Sequence, residues 1–136
     1  MGCMIVDGQG GKMGRMVIEG LRGRGYQGEI LAIGTNSIAT ATMLKAGADH
    51  GATGENPVVR GAMSATVIIG PVGIVVANAI WGEVTPKMAE AVGSSAARKI
   101  LIPTSGCGVT VAGTRALTMA EAVAAAVDEA LPELSK

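Results

Sequence analysis

Nine residues, Asp7 to Arg15, read DGQGGKMGR and carry four glycines directly after the apolar run MGCMIV. A strand that runs into a glycine-rich turn and then a helix aims several backbone N–H groups, and the positive end of the helix dipole, at one spot suited to an anion. On this reading Gly8 makes the tight turn, Gly10 and Gly11 let a phosphate reach the backbone, and Gly14 lets the helix lie close on the strand. Lys12 and Met13 belong to the same turn, and Lys12 can reach a phosphate. No Ser or Thr follows that lysine, so the turn is not the phosphate loop of an ATPase. The spacing also departs from G-x-G-x-x-G, because Met13 stands where the last glycine belongs and Gly14 comes one residue later. The alternative is that these glycines serve only the close packing of helix on sheet.

A second glycine turn, in IIGPVGIVVAN, offers Gly70, Pro71 and Gly73. Pro71 stiffens it and Gly73 opens its backbone, so a ligand could be gripped between the two turns; the alternative is a buried turn whose glycines relieve crowding. A dinucleotide site also wants an Asp or Glu about 20 residues beyond the first turn, for the ribose hydroxyls. Thr35, Asn36 and Ser37 stand there instead, neutral, with no arginine beside them. Their hydroxyls and a helix N-terminus can still hold a phosphate, which leans the reading from NAD toward NADP.

These groups share one rim only if the elements behind them run parallel. Strand-type and helix-type patterns alternate along the whole chain, the signature of parallel βαβ units covered on both faces. CMIV, EILAIG, a short HGAT, ATVIIG and RKILIP read as strands. Helices are expected from Met13 to Leu21, from an Asn36 or Ser37 cap to Gly47, near Val58 to Ala62, from Thr85 with Pro86 first to about Ser94, and from the capping box TMAE at Thr118 to Pro132. Right-handed crossovers then give a three-layer α/β Rossmann-like sandwich of about five parallel strands in the order 3-2-1-4-5, one domain over residues 1–136. GVTVAG is a candidate extra edge strand, and IVVANAIWG reads as an apolar helix carrying Trp81. In this order the two glycine turns face each other at the topological switch point, and Asp7, Thr35, Asn36, Thr53, Glu55, Asn56, Asn78, Thr104, Ser105 and Cys107 gather at the same edge.

The turn GQGGKMGR is similar to the nucleotide-binding turn of bacterial dihydrodipicolinate reductases, which bind NAD(P)H. More widely, DGQGG, IGTNSIAT, MLKAGA, GATGEN, VIIGPVGIVVAN and GEVTPKMAEA together resemble a family of small bacterial proteins of unknown function, over roughly Met4 to Pro103. That resemblance implies a Rossmann-like fold and no particular activity.

Composition excludes several functions. Formal charge is +0 with no Lys or Arg run, and Trp81 and Tyr26 are the only aromatics, so neither the electrostatic footprint nor the stacking platforms of a nucleic-acid binder are present. The most apolar run, Ala65 to Gly82, is broken by Gly70, Pro71, Gly73 and Asn78 and reads as strand, turn and helix rather than a membrane span. Cys3 and Cys107 lack metal-type spacing and read as reduced thiols of a cytoplasmic protein; no metal site is expected.

Catalytic candidates are few. His50 falls at a strand start, the end away from the crevice, and Glu55 reads as a solvated or capping acid. Asp7 is expected to bond loop N–H groups rather than a ligand or metal. Cys107 has no histidine placed as its base and reads as a quiet thiol. The resulting expectation is a nucleotide or dinucleotide site, NAD(P) favoured, at the two glycine turns, with substrate near Asn78, Glu83 and Thr104 and hydride transfer if the protein is an enzyme. A homodimer is expected to close the site, with Trp81 in its interface. The alternative is a non-enzymatic sensing or assembly module for a small, phosphate-bearing or otherwise anionic metabolite.

Overall fold

Runs of apolar and β-branched residues form strands buried along their whole length, as a sheet covered on both faces demands: β1 (Cys3–Asp7) and β4 (Val67–Pro71) have no exposed residue. Around them lie β2 (Ile30–Gly34), β3 (His50–Thr53) and β5 (Arg98–Ile102), all parallel, in the order β3-β2-β1-β4-β5. The computed structural model describes residues 2–105 and 107–136. The strand order is the one expected from right-handed crossovers.

Helices α1 (Lys12–Gly23), α2 (Ser37–Lys45), α3 (Glu55–Ala62), α4 (Pro86–Ser94) and α5 (Met119–Leu134) cover the two faces. Alternation along β1 sends Cys3 and Ile5 toward α1, α2 and α5, where they meet Ile18, Leu21, Met43 and Val127, and sends Met4 and Val6 toward α3 and α4, where they meet Val58, Met88 and Val92. Each such fully buried large side chain contributes about 1.5–3 kcal/mol, so the strand ends are rigid mounts for the loops that follow them. Side-chain caps fix where helices begin. Asn36 Oδ1 accepts from Ala39 N at 2.9 Å, Thr85 Oγ1 from Met88 N at 3.2 Å, and Thr118 Oγ1 from Glu121 N at 3.1 Å.

Four expectations are corrected. α3 begins at Glu55, three residues before the expected Val58, because Gly54 turns the chain with φ +97° directly after β3. α5 continues through Pro132 to Leu134; the proline removes one backbone bond near the end without ending the helix. GVTVAG forms bends and turns rather than an edge strand. IVVANAIWG is no helix: a 3-10 turn, Val72–Val75, gives way to a tight loop in which Asn78, Ile80 and Trp81 take left-handed backbone (φ 67°, 56° and 54°). That loop closes on itself, Asn78 N donating to Val84 O at 2.7 Å and Val84 N to Ala79 O at 3.1 Å.

Candidate functional site

At the carboxyl edge of the sheet, the β1–α1 turn, the end of β4 with its 3-10 turn, and the segment between β5 and α5 enclose a cleft of about 840 Å³. The two glycine turns do face each other across it: Gly8, Gly10, Gly11, Lys12 and Met13 line one side, Pro71 and Gly73 the other. Asn78 and Thr104 line it too, whereas Gly14, Gly70, Thr35, Asn36 and Glu83 do not.

The four glycines of the first turn have different reasons to be glycine. Gly8 opens the tight turn, its carbonyl accepting from Gly11 N at 3.0 Å, and a Cβ on it would lie 2.7 Å from Thr35 Oγ1, 3.0 Å from Ile80 Cδ1 and 3.1 Å from Glu83 Oε1, so it also admits the neighbouring loops. Gly11 takes φ +76°, and its Cβ would lie 2.8 Å from Ala39 O, against the backbone of α2. Gly14 is pressed between Met43 of α2 and Asp7, the close packing the sequence implies. Gly10 alone of the four is exposed, and a Cβ there would meet nothing within 4 Å. Bare backbone therefore opens into the cleft at Gly10, with the exposed Lys12 two residues on.

Asp7, buried at the cleft floor, accepts from Gly8 N at 2.8 Å and from Gly14 N at 2.7 Å, as a loop-bonding acid should. It is the internal anion of the α1 N-terminus. Burial raises its carboxyl above the ordinary aspartate range, the amides of Gly14 and Gly8 oppose that rise, and the charge of Glu83 adds to it.

Glu83 performs a different task from the substrate contact expected of it. Its Oε1 accepts from Thr35 Oγ1 at 2.5 Å, Asn36 Nδ2 at 3.0 Å and Gln9 N at 3.3 Å. An acid thus does reach the end of β2, delivered from the β4–α4 loop instead of from β2 itself. Partial burial acts to raise the Glu83 carboxyl, and the Thr35, Asn36 and Gln9 donors outweigh it and hold it below the ordinary glutamate range. Thr35 and Asn36 are committed to this latch, and Asn36 also donates to Gln9 O at 2.8 Å and caps α2.

In the second turn Gly70 is required by the sheet, because a Cβ there would collide with the Val6 carbonyl of β1. Gly73 has ordinary clearance, 3.4 Å to Ala79 Cβ and 3.8 Å to Cys107 Cβ. The third wall was missed in the sequence reading: Leu117, Thr118 and Met119 line the cleft beside Ser105 and Cys107, although Thr118 had been recognisable as a helix cap. Ile80 and Trp81, expected in a helix, instead lie in the left-handed loop and line the cleft, Trp81 at its exposed edge. His50 stands at the start of β3, 3.5 Å from Glu29, and Glu55 accepts from Thr85 Oγ1 at 2.6 Å; neither lines the cleft. Among the described residues no group of three or more His, Cys, Asp or Glu could hold a metal, and no helix is long and apolar enough to cross a membrane.

A parallel five-stranded sheet of this order, with helices on both faces and a loop-lined cleft at its carboxyl edge, defines a Rossmann-like α/β protein. The chain belongs to the DUF3842 family, a domain of unknown function, whose model matches residues 2–135. No curated protein matches it. Among solved structures it is similar to a dodecameric FMN-dependent Ubix-like decarboxylase from Escherichia coli O157:H7, at 16% identity and a TM-score of 0.53, over 98% of this chain and 95% of that one.

Proposed function

We propose that this protein binds a mononucleotide, FMN in preference to NAD(P), in the cleft between its two glycine turns. The observation that carries the reading is the position of Glu83. A dinucleotide laid across the switch point extends from the first turn over the end of the second strand. Here Thr35 and Asn36 at that end are held by Glu83, and the cleft runs instead over β1, β4 and β5. One nucleotide fits that course. The volume lies within the range of small-molecule sites, and the structural neighbour is described as FMN-dependent.

The donor chemistry fits a phosphate-bearing ligand. Bare backbone at Gly10, the Lys12 ammonium, and the hydroxyls of Thr104 and Ser105 are the groups that would take the phosphate and ribityl chain. The apolar side chains of Pro71 and Val76 on one wall and Leu117 on another would face the ring. A bound flavin supplies electron-transfer chemistry of its own, and the chain's residues would hold, orient and shield it.

Thermal unfolding with FMN, riboflavin, AMP, NAD and NADP tests this. A ligand at about 100 times its Kd stabilises the native state by about 2.7 kcal/mol, so FMN is expected to raise the melting temperature clearly, riboflavin less, and the dinucleotides least. A shift with NADP and none with FMN would overturn the reading.

A further inference from the structure

The loop between the 3-10 turn and α4 is built against two ordinary preferences at once. Ile80 and Trp81 hold left-handed backbone, φ 56° and 54°, which is unfavourable for any side chain and most of all for a β-branched one. Nothing is gained in burial for Trp81, which is 96% exposed, the highest value among the described large apolar residues. Ile80 packs against the core beside Val84 and Met88, but folding by itself does not reward the exposure of Trp81. Strain of this kind persists only where surrounding structure over-determines it, and it clusters at ligand clamps. Here the surroundings are plain: Gly82 N donates to Asn78 O at 3.1 Å, Glu83 N to Ile80 O at 2.9 Å, and the Glu83 carboxylate fastens the loop to Thr35, Asn36 and Gln9. The loop is therefore a rigid bracket holding one indole at the cleft mouth. Trp81 lines the cleft, and two further apolar side chains left in water, Leu117 before α5 and Met119 at its first position, at 46% and 42% exposure, line it as well.

We propose that Trp81 is the ring-stacking residue of this site: it packs flat on the planar ring of the ligand, with Leu117 and Met119 closing on the ring from the other wall. The inference rests on the mononucleotide reading and deepens it. The cleft's polar floor at Gly10 and Lys12 takes the charged end, and its strained, aromatic mouth selects ligands with a large planar ring. A sugar phosphate satisfies the floor and leaves the mouth empty.

Trp81→Ala and Trp81→Phe test it, titrated calorimetrically with FMN and with ribose 5-phosphate as a ringless probe, alongside the melting temperature and solution mass of each variant. Trp81→Ala is expected to weaken FMN about 10-fold or more, the scale of one lost ring-on-aromatic stack. Trp81→Phe should retain most of the affinity, and the ringless probe should bind all three proteins alike. Because the side chain is exposed, both variants should melt with the parent. If FMN binds the parent and Trp81→Ala equally, the stacking assignment is overturned and the mononucleotide reading stands. Equal weakening of FMN and ribose 5-phosphate overturns it as well, as does a change confined to solution mass, which would make Trp81 a contact between copies. If the parent binds no FMN, both fall.

Discussion

Replacing Gly11 and Gly10, adjacent in sequence, by alanine should have opposite consequences. Gly11 holds φ +76°, where a non-glycine residue loses about 1–2 kcal/mol. Its new Cβ would also lie 2.8 Å from Ala39 O and 2.9 Å from Ala39 Cα, backbone atoms of a packed helix that cannot swing aside. Overpacking of this kind costs about 1–3 kcal/mol, so Gly11→Ala should lose about 3 kcal/mol in all. An unfolding entropy of about 2.1 cal/mol/K per residue, over 136 residues, is about 0.3 kcal/mol/K, and the melting temperature should fall by about 10 °C. Gly10 has no left-handed φ and open space around it. Gly10→Ala should melt within about 2 °C of the parent, yet bind FMN more weakly, because a methyl group now stands between phosphate and amide. Differential scanning calorimetry and an FMN titration of the two variants separate the effects. A stable Gly11→Ala, or a Gly10→Ala that binds FMN like the parent, would refute the division of these glycines into structural and ligand-facing.

Other perturbations have equally definite outcomes. Glu83→Ala removes the acceptor shared by Thr35, Asn36 and Gln9; at this half-buried site the loss should be about 1 kcal/mol, read by urea unfolding. Because the folded Glu83 carboxyl lies below its ordinary 4.5, its contribution is present above that pH and disappears as pH falls through the lower folded value, so parent and Glu83→Ala should converge in stability once the pH lies below that folded value. A difference that persists unchanged there would show that the carboxylate charge is not what holds the loop. Asp7 has the opposite sign: its folded value is raised, so ionising it opposes folding and mild acidification should reduce that penalty. Asp7→Ala nevertheless leaves the buried amides of Gly8 and Gly14 unpaired and should lose about 3 kcal/mol at neutral pH by the same unfolding assay. Burial, against a smaller opposing effect of Arg22, pushes the Cys3 thiol up to about 12, whereas Cys107 is partly exposed and lines the cleft. Iodoacetamide should therefore label only Cys107 in the native protein by mass spectrometry, and FMN should slow that labelling.

Strand order and the starts of α4 and α5 were readable, the order from crossover handedness and the two starts from causes that are local. Thr85 with Pro86, and Thr118 with Glu121, announce their helices within four residues, and crossover handedness orders the strands. The loop from Asn78 to Glu83 was not, because its conformation is set by distant partners: Glu83 binds Gln9, 74 residues away, and an apolar run at helical spacing gives no sign that its backbone turns left-handed at Asn78, Ile80, Trp81 and Gly82. The glycines mislead for a similar reason. Gly8, Gly11 and Gly14 each make room for a side chain or helix remote in sequence, and only Gly10 faces open space. The acid missing from the end of β2 was real in sequence and false in space, since Glu83 supplies it from another loop.

The central claim is that one nucleotide lies over β1, β4 and β5 with its phosphate at Gly10. A crystal structure of the protein with FMN tests it most directly. The account predicts the phosphate within hydrogen-bond distance of the Gly10 amide and the Lys12 ammonium, with the Glu83 bonds to Thr35 and Asn36 intact. A phosphate bound at Thr35 and Asn36 with Glu83 displaced, or FMN outside the cleft, would contradict it.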